Sequence, residues 1–337
     1  MKKLLLLVLL CSLVISGCSV SSSKEMKTNT KSSYPQTLVD QLGREVTIEK
    51  EPKRIVSGYY ISTSLLIALD LKDETVGIES KPEKRPIYSM AAPEFLELPN
   101  VGTMKEFNIE ATLALEPDLV LLPIKLKDSI DVLEELGITV LAINPESDEL
   151  LHETIALVAK ATNRIELGDN LLNKIKTFNE KLKTLLSDVD QKSVYLGGNS
   201  ELLSTAGSKM YQNTLITLAN GKNVASDLSD AYWANISYEQ LLAWNPDVIL
   251  IASDAVYSKE DLLNDTNLQD IKAVKNKAIA SIPGNLEAWD SPVPSSVLGS
   301  LWIASELYPE KYSKEEFGQD VRDFYSTFYQ IEASVNE

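Results

Sequence analysis

The chain has 337 residues, of which 44% are hydrophobic and 24% charged, and its formal net charge is −17. That length holds two domains of common size or one large one, and the composition excludes disorder for the bulk of the chain. The acidity excludes nucleic acid as a partner, because phosphate binding needs clustered Lys and Arg, and it suits an exposed, soluble surface.

Lys2 and Lys3 precede an apolar stretch at 4–15, too short for a typical spanning helix, which reads as a secretory signal. It ends Ile15-Ser16-Gly17-Cys18. That sequence resembles a bacterial lipoprotein processing site, with cleavage before Cys18 and lipidation of its thiol, Ile15 standing where Leu is usual. The other cysteine, Cys11, leaves with signal residues 1–17. An exported chain without a disulfide must be stabilised by its core. Residues 18–36, rich in Ser, Lys and Thr, form a flexible tether.

Next comes Asp40-x-x-Gly43-Arg44-x-Val46-x-Ile48, which predicts a small hairpin turning at Gly43. Strands at 54–57, 75–79, 119–122 and 139–143 alternate with helices near 62–69, 109–115, 128–136 and 148–161. This alternation predicts βαβ units and a mainly parallel sheet. Residues 164–186 carry Leu171, Ile175, Phe178 and Leu182 at helical spacing, lack Pro, and have one interior weak point, Gly168. A helix of that extent is about 35 Å long and can cross between domains. Strands then restart at 193–197, 248–252 and 279–282, with helices near 211–219, 237–244, 258–264, 296–307 and 317–328. The expected fold is α/β: two Rossmann-like lobes with mainly parallel sheets, 37–162 and 188–337, joined by one long α-helix at 163–187.

Residues 108–122 and 237–251 share one pattern. Each begins with an N-cap residue, Asn108 or Ser237, and has a Glu two places on, Glu110 or Glu239. A short amphipathic helix follows, closed by Pro117-Asp118 or Pro246-Asp247 before an apolar strand. Two copies in register imply two similar lobes, with an equivalent carboxylate on each.

Further motifs are Pro52-x-Arg54-Ile55-Val56, Val101-Gly102, Asn223-Val224-Ala225, Leu298-Gly299-x-x-Trp302-x-Ala304 and Leu307-Tyr308-Pro309-Glu310. Taken in order behind the signal, these residues resemble the substrate-binding lipoproteins of bacterial ABC importers for iron–siderophore, cobalamin and haem complexes. That is the class whose two lobes are joined by one rigid helix. Asn220 departs from the family's usual Gly-Gly ahead of Asn-Val, but Asn tolerates the left-handed backbone such a turn needs. The resemblance implies a monomer, lipid-anchored through Cys18 on the extracytoplasmic face of the cell membrane. It also implies that Glu110 and Glu239 dock onto Arg-lined pockets of the two permease subunits, whose ATPase drives release. From the residues alone, each Glu in a first helical turn favours the helix dipole; that accounts for either Glu but not for the pair, since Asp, Ser or Thr would serve.

A solute site is expected in the cleft between lobes, at the C-terminal ends of the strands. The first lobe offers Tyr59, Tyr60, Tyr88, Met104 and Lys105; the second offers Lys209, Tyr211, Tyr232, Trp233 and Trp289. Aromatic residues at loop positions suit a bulky organic ligand, whereas Trp244, Trp302 and Tyr308 are expected in the core. Directly coordinated Zn or Mn is disfavoured, because such sites lean on His and the one His152 lies in a Leu-rich helix. No intrinsic cofactor or metal is expected; the ligand is read as a metal chelate: ferric siderophore, corrinoid, or haem ligated by Tyr or by Met104. An anionic siderophore would want cations, for which Lys105, Lys125 and Lys209 offer themselves, and an oxyanion is the further alternative. No P-loop, Gly-x-Gly-x-x-Gly, Gly-x-Ser-x-Gly or His-containing motif points to an enzyme.

Overall fold

The computed structural model describes residues 33–228 and 233–334. Signal residues 1–17, Cys18, most of the tether and Tyr232 lie outside the described residues; the end of the expected tether is instead part of the fold, Tyr34 donating to Ala161 O at 3.0 Å and Gln36 opening the first strand. The hairpin is β1 (Gln36–Val39) against β2 (Glu45–Ile48), with Leu38 opposite Val46. Asp40 fastens its turn, accepting from the Leu42 and Arg44 amides at 3.0 Å.

The first lobe runs β3 (Ile55–Ser57), α1 (Tyr60–Ala68), β4 (Thr75–Gly77), α2 (Pro86–Ala91) and α3 (Ile109–Ala114). It continues with β5 (Leu119–Pro123), α4 (Lys127–Glu135), β6 (Val140–Ile143) and α5 (Asp148–Ala161). Its sheet has the order β4-β3-β5-β6 and is parallel throughout, Ile55 facing Leu119 and Val120 facing Val140. Every residue of β5 and β6 is buried, which is why both read as unbroken apolar runs.

Helix α6 (Ile165–Leu185) follows, with 21 residues and a length of about 32 Å. Its buried stripe is Leu171, Ile175, Phe178 and Leu182. Gly168 is a point of contact: a Cβ there would lie 2.5 Å from the Ala159 Cβ, so the glycine lets α5 and α6 approach.

The second lobe comprises β7 (Lys192–Gly197), β8 (Ser204–Ala206), α7 (Tyr211–Leu218), β9 (Gly221–Asn223), β10 (Trp233–Asn235) and α8 (Tyr238–Trp244). Then come β11 (Val248–Ile251), α9 (Lys259–Asn264), α10 (Lys272–Lys275), β12 (Ile279–Ser281), α11 (Val297–Leu307) and α12 (Lys314–Phe328). The sheet order is β10-β8-β7-β11-β12, with β9 also on β7; β8 and β10 are its antiparallel members. Asn220 does take a left-handed φ of 56°, and its side-chain Nδ2 donates to Val189 O at 3.2 Å.

The lobes share one continuous hydrophobic core. Helix α12 lies along α6, Phe178 and Phe324 meeting with ring centroids 6.4 Å apart, and Lys174–Asp323 and Lys181–Asp320 ion pairs flank them. Deep in this junction sits Glu287, 6% exposed. It accepts from Ser64 of α1, from Ser295 at 2.5 Å and from Tyr325 at 3.3 Å. Burial pushes its carboxyl above the ordinary range. Glu287→Ala strands the Ser295 and Tyr325 hydroxyls, at roughly 1–3 kcal/mol per buried group. Scanning calorimetry should therefore show the melting temperature lowered by several degrees; an unchanged value contradicts this.

Candidate solute site and paired acidic helices

The two copies of the repeat fold alike. Asn108 caps α3 by accepting from the Ala111 amide at 2.9 Å, and Ser237 caps α8 by accepting from the Gln240 amide at 3.2 Å. Each helix is followed by a left-handed residue ahead of the proline, Glu116 and Asn245, both at φ 45°. Asp118 then accepts from the Lys53 amide at 3.0 Å, and Asp247 from the Ser193 amide at 2.8 Å, each tying its strand to the neighbour. Glu110 and Glu239 consequently stand exposed in the first turns of equivalent helices. The Ser237 side chain holds the Glu239 carboxyl below its usual range.

At the C-terminal ends of β3 and β4 lies a cavity of about 590 Å³. Its wall includes Tyr59, Tyr60, Met104 and Lys105 from the sequence expectation, together with Glu79, Lys81, Lys84 and Arg85. Gly102 shapes the Met104–Lys105 turn: its φ is +94°, and a Cβ there would sit 2.1 Å from Glu106 O. Tyr59 and Tyr60 meet edge to face at 5.1 Å, and the Arg85 guanidinium lies 4.1 Å above the Tyr60 ring centroid. Burial pushes the Tyr60 phenol up, with the Arg85 charge acting against it. Beneath it, a cavity of about 40 Å³ is lined by Tyr60 and Arg85 from one lobe and Asp254, Gly284 and Val293 from the other.

Three expected cleft residues are buried in the core, although Tyr88 also lines the small cavity between the lobes. Tyr88 is 1% exposed and donates to Glu79 at 2.7 Å, while Tyr211 is 5% exposed with its hydroxyl 2.6 Å from Ser296 Oγ. Trp289 is wholly buried and donates from Nε1 to Tyr325 at 2.9 Å. Each ring buries its apolar body and satisfies its polar tip internally, which sequence position alone does not reveal. Lys209 and Trp233 are exposed on the second lobe and do not line this cavity. Trp302 and Tyr308 are buried as expected, and Trp244 is half-buried against Tyr195.

Residues 79–85 were missed as cavity wall. Their signal was legible: Lys81, Lys84 and Arg85 crowd five positions directly after a strand, in a chain of net charge −17. With Lys105 they put four cations around the cavity against Glu79 and Glu106. Lys125, by contrast, is in an ion pair with Glu146 at 2.9 Å. Among the described residues no group of three or more His, Cys, Asp or Glu could hold a metal ion.

The sequence model described as "Periplasmic binding protein" matches residues 55–286. The molybdate-binding protein MolA of Haemophilus influenzae is 28% identical over 87% of this chain and 90% of its own length. Its molybdate-bound structure superposes with a TM-score of 0.77 at 27% identity, covering 89% of this chain and 99% of that one. An uncharacterized ABC transporter substrate-binding lipoprotein of Bacillus subtilis, YvrC, is 28% identical over 91% of this chain and 96% of its own. The Fe(3+)-citrate-binding protein YfmC of the same organism is 26% identical over 80% and 84%.

Proposed function

This chain belongs to the periplasmic binding protein family, as the solute-binding component of an ABC importer and not an enzyme, and we propose that the solute it captures is an anionic ferric chelate of the iron–siderophore kind. The carrying observation is the cationic wall of Lys81, Lys84, Arg85 and Lys105 around the Tyr59–Tyr60 pair. A volume of about 590 Å³ suits a ligand with an organic body. The phenols supply stacking area and the cations supply charge. The similarity to MolA favours a second reading, a tetrahedral oxyanion, which the same cations would serve. Neutral cobalamin makes no use of such a wall.

In this reading the protein works as a monomer held by lipid on Cys18, with the residues between Cys18 and Tyr34 as tether on the extracytoplasmic face. The likeness to a named lipoprotein supports the anchor, and among the described residues no helix is long and apolar enough to cross a membrane. Capture is followed by a small closure, docking of Glu110 and Glu239 on the permease, and ATP-driven release. Two struts, α6 and α12, together with the Glu287 cluster, resist a large hinge.

Titrations followed by intrinsic fluorescence test the ligand. Ferric citrate, a ferric hydroxamate, a ferric catecholate, molybdate, cyanocobalamin and haem are offered in turn. Saturable one-to-one binding of a ferric chelate is expected. Molybdate alone would select the second reading, and binding of cyanocobalamin alone would overturn both.

A further inference from the structure

The cavity's one buried acid sits among its cations. Glu79 is 9% exposed, yet it lines the same wall as Lys81, Lys84, Arg85 and Lys105. Its Oε1 accepts from the Tyr88 hydroxyl at 2.7 Å and its Oε2 from Thr63 Oγ1 at 2.5 Å. Thr63 Oγ1 is also 2.8 Å from Ser57 Oγ, which is 2.7 Å from Ser62 Oγ. All three of these hydroxyls reach the Tyr59 carbonyl, at 3.3, 3.1 and 2.8 Å for Thr63, Ser57 and Ser62. An unbroken hydroxyl chain therefore runs from the carboxyl to the backbone that carries the Tyr59–Tyr60 pair.

We propose that Glu79 is a proton-linked positioning residue, so that capture of an anion in this cavity is accompanied by uptake of a proton at its carboxyl. The proposal rests on the anionic-solute reading above. Each hydroxyl in the chain has one proton to give, so the chain has two self-consistent orientations. With Glu79 ionised, Thr63 donates to Oε2. With Glu79 protonated, its O–H donates to Thr63 Oγ1, and the Thr63 proton turns to Ser57 Oγ or the Tyr59 carbonyl. The carboxyl is thus hydrogen-bonded in both charge states, and protonation adds a donor to the segment under the aromatic pair.

The direction follows from what surrounds it. Tyr88 faces Glu79 from α2, and Tyr59 and Tyr60 from the start of α1. Lys81, Lys84 and Arg85 face it from the segment after β4, and Lys105 and Glu106 from the next loop. Burial already raises the Glu79 carboxyl, with the Arg85 charge opposing. A bound anion neutralises the cations and adds a negative charge of its own, so the carboxyl rises again. Between the free and bound values, affinity falls as pH rises, by up to about tenfold per pH unit for one full proton. Below that window Glu79 is protonated in both states and above it ionised in both, so the link vanishes on either side.

Titration calorimetry of the mature protein with ferric citrate, or with molybdate if that is the anion bound, reads the proton directly. Runs in two buffers of different ionisation enthalpy, from about pH 5 to pH 7, count protons taken up per anion. Wild type is expected to take up as much as one proton more than Glu79→Gln, since the probe's own protonation cancels between them, and the variant's affinity should lose the extra pH slope. Equal proton counts and equal slopes would overturn the link while leaving the anionic reading intact. Should the variant not fold, the wild-type count decides: uptake no greater than that of the probe in a protein-free control overturns it. If neither anion binds at any pH, both readings fall together.

Discussion

The double variant Glu110→Ala, Glu239→Ala is expected to abolish solute uptake by cells while leaving the purified protein's solute affinity unchanged. Both carboxylates are exposed in the first turns of α3 and α8, and each helix is set by the same devices: an N-cap, a left-handed terminal residue and a Pro-Asp lock. Neither glutamate lines the Tyr59–Tyr60 cavity. Two separated charges on a tethered protein fix orientation as well as strength, and losing both removes the multivalent gain, which can reach 10²–10⁴-fold over either contact. Each single variant should therefore transport at a reduced rate and the double at background.

A merely local role in the helices predicts something else. A first-turn Asp complements the helix dipole as Glu does but reaches less far. Glu110→Asp with Glu239→Asp should therefore keep the wild-type melting temperature and still lose uptake. Uptake of radiolabelled iron, or molybdate, by cells deprived of their own copy is the measurement. Normal transport by the alanine double variant would contradict the docking proposal.

How much of this could be read from residues alone varies from place to place. The alternation of apolar runs with amphipathic stretches located β5, β6 and β11, because parallel strands buried on both faces have no polar positions to confuse the pattern. Short pieces were harder: β8, β9 and β10 have 3 residues each and are fixed by pairing to β7 and to one another, which leaves no period in the sequence. The 108–122 and 237–251 repeat was legible because caps and Pro-Asp breaks are local chemistry. The cavity wall was not. Tyr59 and Tyr88 look alike in sequence, both aromatic and both between strands. Only the fold turns Tyr88 inward to a buried carboxylate and leaves Tyr59 half-buried at a cavity. Arg85 escaped notice because a cation flanked by Pro, Lys and Glu reads as solvated surface until the strand ends converge around it.

Arg85→Ala should weaken binding of the anionic solute by about 10- to 150-fold, the loss of one hydrogen bond to a charged group from a desolvated site. Its guanidinium is half-buried and held over the Tyr60 ring at 4.1 Å, so little side-chain freedom is lost when it meets a ligand. Arg85→Lys keeps the charge but loses the planar fork, and should fall between the two. Lys105→Ala should cost less, because that ammonium is exposed at the rim and screened by salt. The order Arg85→Ala, Arg85→Lys, Lys105→Ala in decreasing severity is thus a signature of an anion seated against the tyrosine pair and not merely attracted to the surface. Raising ionic strength should erode the Lys105 contribution first, since the half-buried guanidinium is the less screened of the two charges. Fluorescence titrations of the three variants at low and high salt give the comparison. Equal affinities for wild type and Arg85→Ala would remove the cationic wall from solute recognition and leave the aromatic pair to act alone.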